Sequence, residues 1–246
     1  AFDAETGVEK MAYVPAVLLP TLKELAAMDY TDRHRFYVDG SPTVVDAFFG
    51  NAWHTVLVGG LNKGGQGIYA LNITNPESFA ANNTNALKLS MWEFTDADDV
   101  DLGYTYSQPA VVKLPNGKWA AVFGNGYNNT QVDGQVSVTG NAVVYIVDIA
   151  DGSLISKIDT GVGMSQDPTN ITGAPKNRPN GFATLAPVDI DGDNKADYIY
   201  GGDLFGNLWR IQLTSTGTTL SHTLTRIFTA CAANTCNANN AQPITT

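Results

Sequence analysis

Three short runs of alternating apolar and polar residues end in glycine: HTVLVGG at 54–60, WAAVFGNG at 119–126 and DYIYGGD at 197–203. A period of two throws successive side chains to opposite faces, so each run predicts a β-strand. Aligned on Gly59, Gly124 and Gly201, the runs stand 65 and 77 residues apart. A second alternating strand follows each one, GIYALNI at 67–73, VVYIVDI at 143–149 and NLWRIQL at 207–213. Tyr69, Tyr145 and Trp209 then share one position, as do Leu71, Val147 and Ile211, and Ile73, Ile149 and Leu213. Upstream, Ser41-Pro42, Gln108-Pro109 and Ala186-Pro187 open a further strand, where proline forfeits only a ladder donor. KLSMWEFT (88–95), SLISKIDT (153–160) and HTLTRIFTA (222–230) close the units. Four sequential antiparallel strands, repeated, predict an all-β fold: a β-propeller whose four-stranded blades bury both faces against their neighbours. A β-sandwich would supply short strands, but not this repeated order of landmarks.

The whole of 1–246 therefore reads as part of one propeller domain, with blades at about 41–95, 107–160 and 183–230. The ends read as broken blades. Phe2-Asp3 and Gly7 match Val147-Asp148 and Gly152, so 1–18 is expected to be a partial blade that begins at a third strand. Gln242-Pro243 repeats the Gln-Pro opening, so 242–246 is expected to start a further blade. The expectation is an incomplete ring or a piece of a larger one. Three insertions interrupt the repeat. In 19–40, Thr21 and Glu24 have capping-box spacing and Leu22, Leu25 and Met28 share a face, which predicts a short helix near 21–29. The Asn- and Gly-rich stretches at 124–140 and 162–181 are surface excursions, carrying recognition or plain decoration with equal weight.

Composition narrows the functions. A net charge of -10, from 14 basic and 24 acidic residues, argues against nucleic acid as a partner. No apolar run is long enough to predict a membrane helix. Cys231 and Cys236 are spaced to close a small disulfide loop, the favoured reading, with two free thiols as the other. Modest charge with abundant Gly, Thr and Asn leans toward an exported protein.

The segment DIDGDNKAD (189–197) carries four carboxylates in nine residues. It stands where the middle blade has LPNGKW, a plain hairpin turn between the first and second strands. Asp189, Asp191, Asp193 and Asp197 occupy positions 1, 3, 5 and 9, and Lys195 at position 7 can offer its carbonyl. Hard oxygens from alternate residues are the ligand rhythm of a calcium loop. Two departures exclude the helix-loop-helix version: Tyr200 replaces the bidentate glutamate at position 12, and Asn194 replaces the turn glycine at position 6. Asparagine tolerates a left-handed backbone, so the turn can still form. A solvated acidic turn is the bland alternative.

The stretches HRFYVDGSPTVVDAFF, WHTVLVGGLNKGGQGIYALNIT and DIDGDNKADYIYGGDLFGNLWRIQL resemble the C-terminal β-propeller of the PilC/PilY family of type IV pilus-associated adhesins and biogenesis factors. The resemblance runs from about Arg35 to Leu213. It implies Ca2+ held by Asp189, Asp191, Asp193, the Lys195 carbonyl and Asp197. It also implies a non-enzymatic, exported protein of the periplasm, outer-membrane surface or pilus tip. Its propeller would support pilus extension against retraction, twitching motility and adhesion. Implied partners are major or minor pilins, with a host cell surface as a further candidate, although the chain has no Arg-Gly-Asp. Rival readings are weaker. A quinoprotein-like fold is shared, but a quinoprotein dehydrogenase would need tryptophan where Met11 stands, and adjacent cysteines. An integrin-like propeller would repeat the acidic loop in several blades. His34, His54 and His222 lie in different units without ligand spacing, GGLNKGGQG lacks the Gly-Lys-Ser/Thr ending of a phosphate cradle, and Trp53, Trp92, Trp119 and Trp209 read as core.

Overall fold

The computed structural model describes residues 1–79, 83–131, 135–170, 176–232 and 240–245. Three four-stranded antiparallel sheets follow one another in the chain. The first comprises β1 (Thr43–Phe49), β2 (Ala52–Gly60), β3 (Gly67–Asn72) and β4 (Ser90–Thr95), the second β5 (Ala110–Lys113), β6 (Trp119–Gly124), β7 (Val143–Asp148) and β8 (Leu154–Asp159). The third comprises β9 (Ala186–Val188), β10 (Tyr198–Gly202), β11 (Asn207–Thr216) and β12 (Thr219–Thr229). These are propeller blades, each a meander with its strands in sequence order.

Each seam between blades is a hydrophobic layer. Ile68, Trp92 and Phe94 of the first blade pack on Phe123, Tyr145 and Val147 of the second. On the other side of the middle blade, Val122, Val144 and Ile146 meet Ile199, Trp209 and Ile211 of the third. The outer face of the first blade is covered by the N-terminal segment, through Met11, Tyr13, Val17 and Leu18 against Leu61, Tyr69 and Leu71. Glu93 fastens that segment, accepting from Tyr13 Oη and from the Ala16 amide, both at 2.6 Å.

Pairing shifts one landmark of the repeat. Gly59 lies opposite Tyr69 and Gly201 opposite Trp209, but Tyr145 lies opposite Phe123, and Gly124 opposite Val144. The matching glycines are therefore Gly60, Gly124 and Gly202, one residue from the alignment expected in the middle blade. Glycine is needed there because the chain entering the next blade crosses it: a Cβ on Gly124 would lie 2.4 Å from Phe182 Cβ. At the position before it a Cβ would meet side chains rather than the crossing backbone, Tyr69 at Gly59 and Leu185 at Gly201, and the middle blade places Phe123 there with its ring tilted on Tyr145 at 5.6 Å.

The helix expected near 21–29 is instead a run of 3-10 turns, Ala16–Ala26, that contains Pro20. Thr21 lies within it, and its hydroxyl donates back to the Leu18 carbonyl at 2.9 Å, so no capping box forms. Leu18 is the buried residue, while Leu25 and Met28 face solvent. Strand β4 begins at Ser90 because Lys88 and Leu89 end a short helix, α1 (Asn83–Leu89). Trp92 and Trp209 are core, but Trp53 is 61% exposed, meeting Phe48 across the hairpin at 5.5 Å and Trp119 at 6.0 Å. At the N-terminus, the Asp3 amide donates to Val8 and the Gly7 amide to Asp3, the same pattern that Asp148, Ser153 and Gly152 form after β7. Residues 240–245 form no strand; the Ile244 amide donates to the Asp203 carbonyl at 3.1 Å. Cys231 is disulfide-bonded, and Cys236 lies outside the described residues. In the 162–181 excursion Asp167 pairs with Arg178 at 2.9 Å. Burial pushes the Asp167 carboxyl up, but Arg178 and backbone amides overcome this and hold its pKa at about 2.

A buried acid holds the turn between β10 and β11. Asp203 is fully buried with no cation paired to it among the described residues, yet accepts from the Phe205 and Asn207 amides (3.0 and 2.8 Å) and from Trp209 Nε1 (2.8 Å). Side-chain amides of Asn180 and Asn207 complete its shell at 3.0 and 2.9 Å. Asp203→Ala strands several buried donors at once, and each costs about 1–3 kcal/mol. Urea unfolding should show a loss of more than about 3 kcal/mol, against about 1–2 kcal/mol for Trp209→Phe, which removes a single donor.

Candidate metal centre

The three turns that join first to second strands differ in length and chemistry. The first blade uses Gly50-Asn51, both with positive φ (57° and 64°), a two-residue hairpin. In the second blade Leu114 accepts from Gly117 and donates to Lys118, both at 2.8 Å. The third blade replaces these with the acidic loop between β9 and β10. Its ends are fixed by strand bonds, from the Asp197 amide to Val188 at 2.9 Å and from the Leu213 amide to Asp197 at 2.7 Å. Buried Ala196 anchors it in the seam between blades, and its amide donates to the Lys113 carbonyl of the middle blade at 2.9 Å.

Within the loop the carboxylates take the place of missing backbone partners. Asp189 accepts from the Gly192 and Asn194 amides, both at 2.8 Å, and Asp197 from the Ile190 amide at 2.8 Å. Asp191 accepts from the Asp193 amide at 3.1 Å. Gly192 and Asn194 both adopt left-handed backbone, φ 80° and 63°, which curls the chain around its own acids. Asn194 thus takes the conformation that its position in the loop requires.

Asp189, Asp191 and Asp197 each bring a carboxylate oxygen within 4.8 Å of the other two. Asp193 stands apart from this trio. Its Oδ2 lies 2.5 Å from Lys195 Nζ, and its Oδ1 accepts from the Lys195 amide at 2.9 Å. The Lys195 ammonium holds the Asp193 carboxyl below the usual carboxylate range, and Asp193 in turn raises Lys195. Of the five expected ligand residues, three converge and two pair with each other. The side-chain bond of Lys195 to Asp193 has no signature in the spacing, which pointed only to the Lys195 carbonyl.

The donor set is hard oxygen throughout, as Ca2+ prefers, with bonds of about 2.3–2.6 Å that place ligands on one ion within about 5 Å of each other. The trio satisfies that limit. Nitrogen and sulfur donors, which zinc or copper would want, are absent from it.

Three carboxylates so close repel one another by about 1 kcal/mol per pair in a water-like dielectric. In chelator-treated protein, Asp191→Asn should therefore raise the melting temperature by about 1–3 °C, since asparagine can still accept from the Asp193 amide. The gain should shrink in 1 M NaCl, where the Debye length is about 3 Å. A drop in melting temperature would contradict the crowding.

The family profile described as the PilY1 beta-propeller domain matches residues 4–236. A Xylella fastidiosa (strain Temecula1) protein named type IV pilus biogenesis factor PilY1 homolog is 44% identical over 214 residues, 87% of this chain and 13% of its own length. The Pseudomonas aeruginosa PAO1 type IV pilus biogenesis factor PilY1 is 41% identical over 213 residues, 86% of this chain and 16% of its own length. The chain thus spans less than a fifth of either relative. The crystal structure of the Pseudomonas aeruginosa PilY1 C-terminal domain superposes with a TM-score of 0.69 at 33% identity, covering 99% of this chain and 45% of that one. The blades and a profile match over nearly the whole length agree: the chain belongs to the PilY1 β-propeller domain family.

Proposed function

We propose that this propeller is a calcium-binding, non-enzymatic module of a type IV pilus biogenesis factor. In this reading Asp189, Asp191 and Asp197 hold the ion, and the Lys195 carbonyl and Asp193 complete its shell, with Asp193 leaving Lys195 to do so. The observation that carries the proposal is the convergence of three carboxylates on a loop whose amides already aim them inward. Calcium would supply the countercharge the trio lacks. Since Ala196 ties the loop to the middle blade, ordering the loop would stiffen a blade seam. The pilus role is supported by the names of the relatives and by identity above 40% over most of the chain. Pilus extension against retraction, twitching motility and adhesion are the activities this role would serve, with pilins as partners and an exported location.

Binding to the folded state alone stabilises it by about 2.7 kcal/mol at a ligand concentration 100 times Kd. Calcium at that level should raise the melting temperature by about 5–10 °C, reversibly with chelator, while NaCl at equal ionic strength should not. Asp191→Asn is the clean variant, because Asp189 and Asp197 also hold loop amides; it should abolish the calcium-dependent rise. An unchanged wild-type curve in millimolar calcium would sink the metal assignment.

The biological half needs a separate measurement. In the parent bacterium, full-length protein carrying Asp191→Asn should leave fewer sheared surface pili and smaller motility zones at wild-type protein levels. Normal piliation alongside a lost calcium shift would detach the metal from the pilus role.

A further inference from the structure

The antiparallel meander places the acidic loop on one rim of the blades and the turns between second and third strands on the other. On that second rim lies a cavity of about 560 Å³. Its walls come from four separate parts of the chain. Glu24 and Arg33–Phe36 belong to the N-terminal insertion, Lys63 to the β2–β3 turn, Tyr104 and Tyr106 to the β4–β5 connection, and Asn128 and Gln131 to the β6–β7 excursion. Two of the three insertions that the repeat does not need therefore converge here.

The lining inverts the charge of the molecule. The chain carries 14 basic and 24 acidic residues, yet among the described residues the cavity presents Arg33, Arg35 and Lys63, with His34, against the acid Glu24. Arg33 pairs with Asp29, and Arg35 with Glu24 at 3.3 Å, bonds that orient the guanidiniums and leave most of their five N–H donors unspent. The Lys63 ammonium lies 4.8 Å from the centre of the Phe36 ring, and among the described residues it has no carboxylate in ion-pair range. Aromatic surface accompanies the charge. His34 meets Phe36 edge-on at 5.1 Å, and Tyr106 stacks on Tyr127 at 5.2 Å.

The walls are held by main-chain contacts. The insertion presses on the β2–β3 turn so closely that a Cβ on Gly64 would lie 1.6 Å from the Tyr37 carbonyl oxygen, and this contact sets neighbouring Phe36 beneath Lys63. Tyr104 and Tyr127 exchange backbone bonds at 2.7 and 3.1 Å, joining the connection to the excursion. The Tyr30 hydroxyl donates to the Arg35 carbonyl at 3.2 Å. A pocket of this size, walled by charged and polar side chains beside a few aromatic rings, has room for a small polar ligand.

We infer that this cavity binds an acidic saccharide, a short oligomer of uronic-acid type. Its carboxylate faces Lys63 and the paired arginines, its ring faces lie on Phe36 and the tyrosines, and its hydroxyls meet the Asn128 and Gln131 amides. The combination selects this class. A bare phosphate would use the cations and leave the aromatic wall without a partner, and a neutral sugar would leave the Lys63 ammonium without a countercharge.

The test is calorimetric titration of the purified full-length protein with oligoglucuronate, with the same oligomer after reduction of its carboxyls to alcohols, and with inorganic phosphate. Oligoglucuronate is expected to bind at least tenfold more tightly than either comparison, with affinity falling as salt rises. Lys63→Met and Phe36→Ala should each weaken it by about tenfold, the size of one charge-assisted contact or one lost aromatic face. Lys88→Met, an exposed lysine on α1, should leave it unchanged. Because Lys63 is exposed and Phe36 partly so, matching melting curves would establish that both variants fold. Equal binding of the reduced oligomer, equal binding of phosphate, or no binding of oligoglucuronate at 10 mM would each overturn the inference. None of these outcomes bears on the calcium loop.

Discussion

A four-stranded sheet that is apolar on both faces has to be covered on both, and this constraint shapes the whole molecule. The middle blade shows its full effect. Phe123, Tyr145 and Val147 point to one neighbour and Val122, Val144 and Ile146 to the other, all with no exposed surface. Each large side chain so buried contributes about 1.5–3 kcal/mol relative to exposure, so the seams dominate cohesion. The turns at the rims contribute little to it. They are free to lengthen, to take on charge and to carry polar chemistry without disturbing the sheets.

The acidic loop shows how such freedom is used. A two-residue hairpin satisfies the blade geometry, as Gly50-Asn51 does in the first blade. The longer loop of the third blade has backbone amides without ladder partners, and its own carboxylates accept from them. That arrangement fixes the direction of the acids before any ion arrives, which lowers the ordering cost of binding. It also sets a conflict, since the bonds that shape the loop bring like charges together. Asp193 escapes the conflict by pairing with Lys195, whereas Asp189, Asp191 and Asp197 have no cation of their own within the loop.

Much of this was legible in the sequence, because blades are built from local rules. Period-2 alternation, proline at strand openings and turn glycines located the three sheets and the position of the acidic loop between first and second strands. The misreadings share one physical origin, in that their determinants are tertiary. Gly59-Gly60 and Gly201-Gly202 each offer two glycines, and only the crossing chain, at Thr105 over Gly60 and at Ile244 over Gly202, shows which one the next segment passes over. Thr21 has cap spacing, but Pro20 and its own hydroxyl bond to Leu18 give a 3-10 run instead. Asp203 gave no signal as an acid; the nearest one was its place six residues before Trp209, with Gly206 in the turn between. The basic cavity has no local pattern at all, because Arg33, Lys63, Tyr106 and Gln131 are brought together only by the order of the blades.

The two rims also bear on how their sites can communicate. A strand of six residues, such as β3 or β7, spans about 20 Å, and the Debye length in physiological salt is about 8 Å. Charge placed on the acidic loop is therefore screened before it reaches Lys63 through solvent. The net charge of -10 cannot steer an anion into the cavity over that distance either, and it weakly opposes the approach. Selection of an anion has to arise inside the cavity, from guanidiniums already oriented by Asp29 and Glu24 and from an ammonium seated over Phe36. Any coupling between the rims must then be mechanical, passing along the strands and across the seams. Ala196, buried in one seam and bonded to Lys113 of the middle blade, is the point where a change in the loop would enter that path.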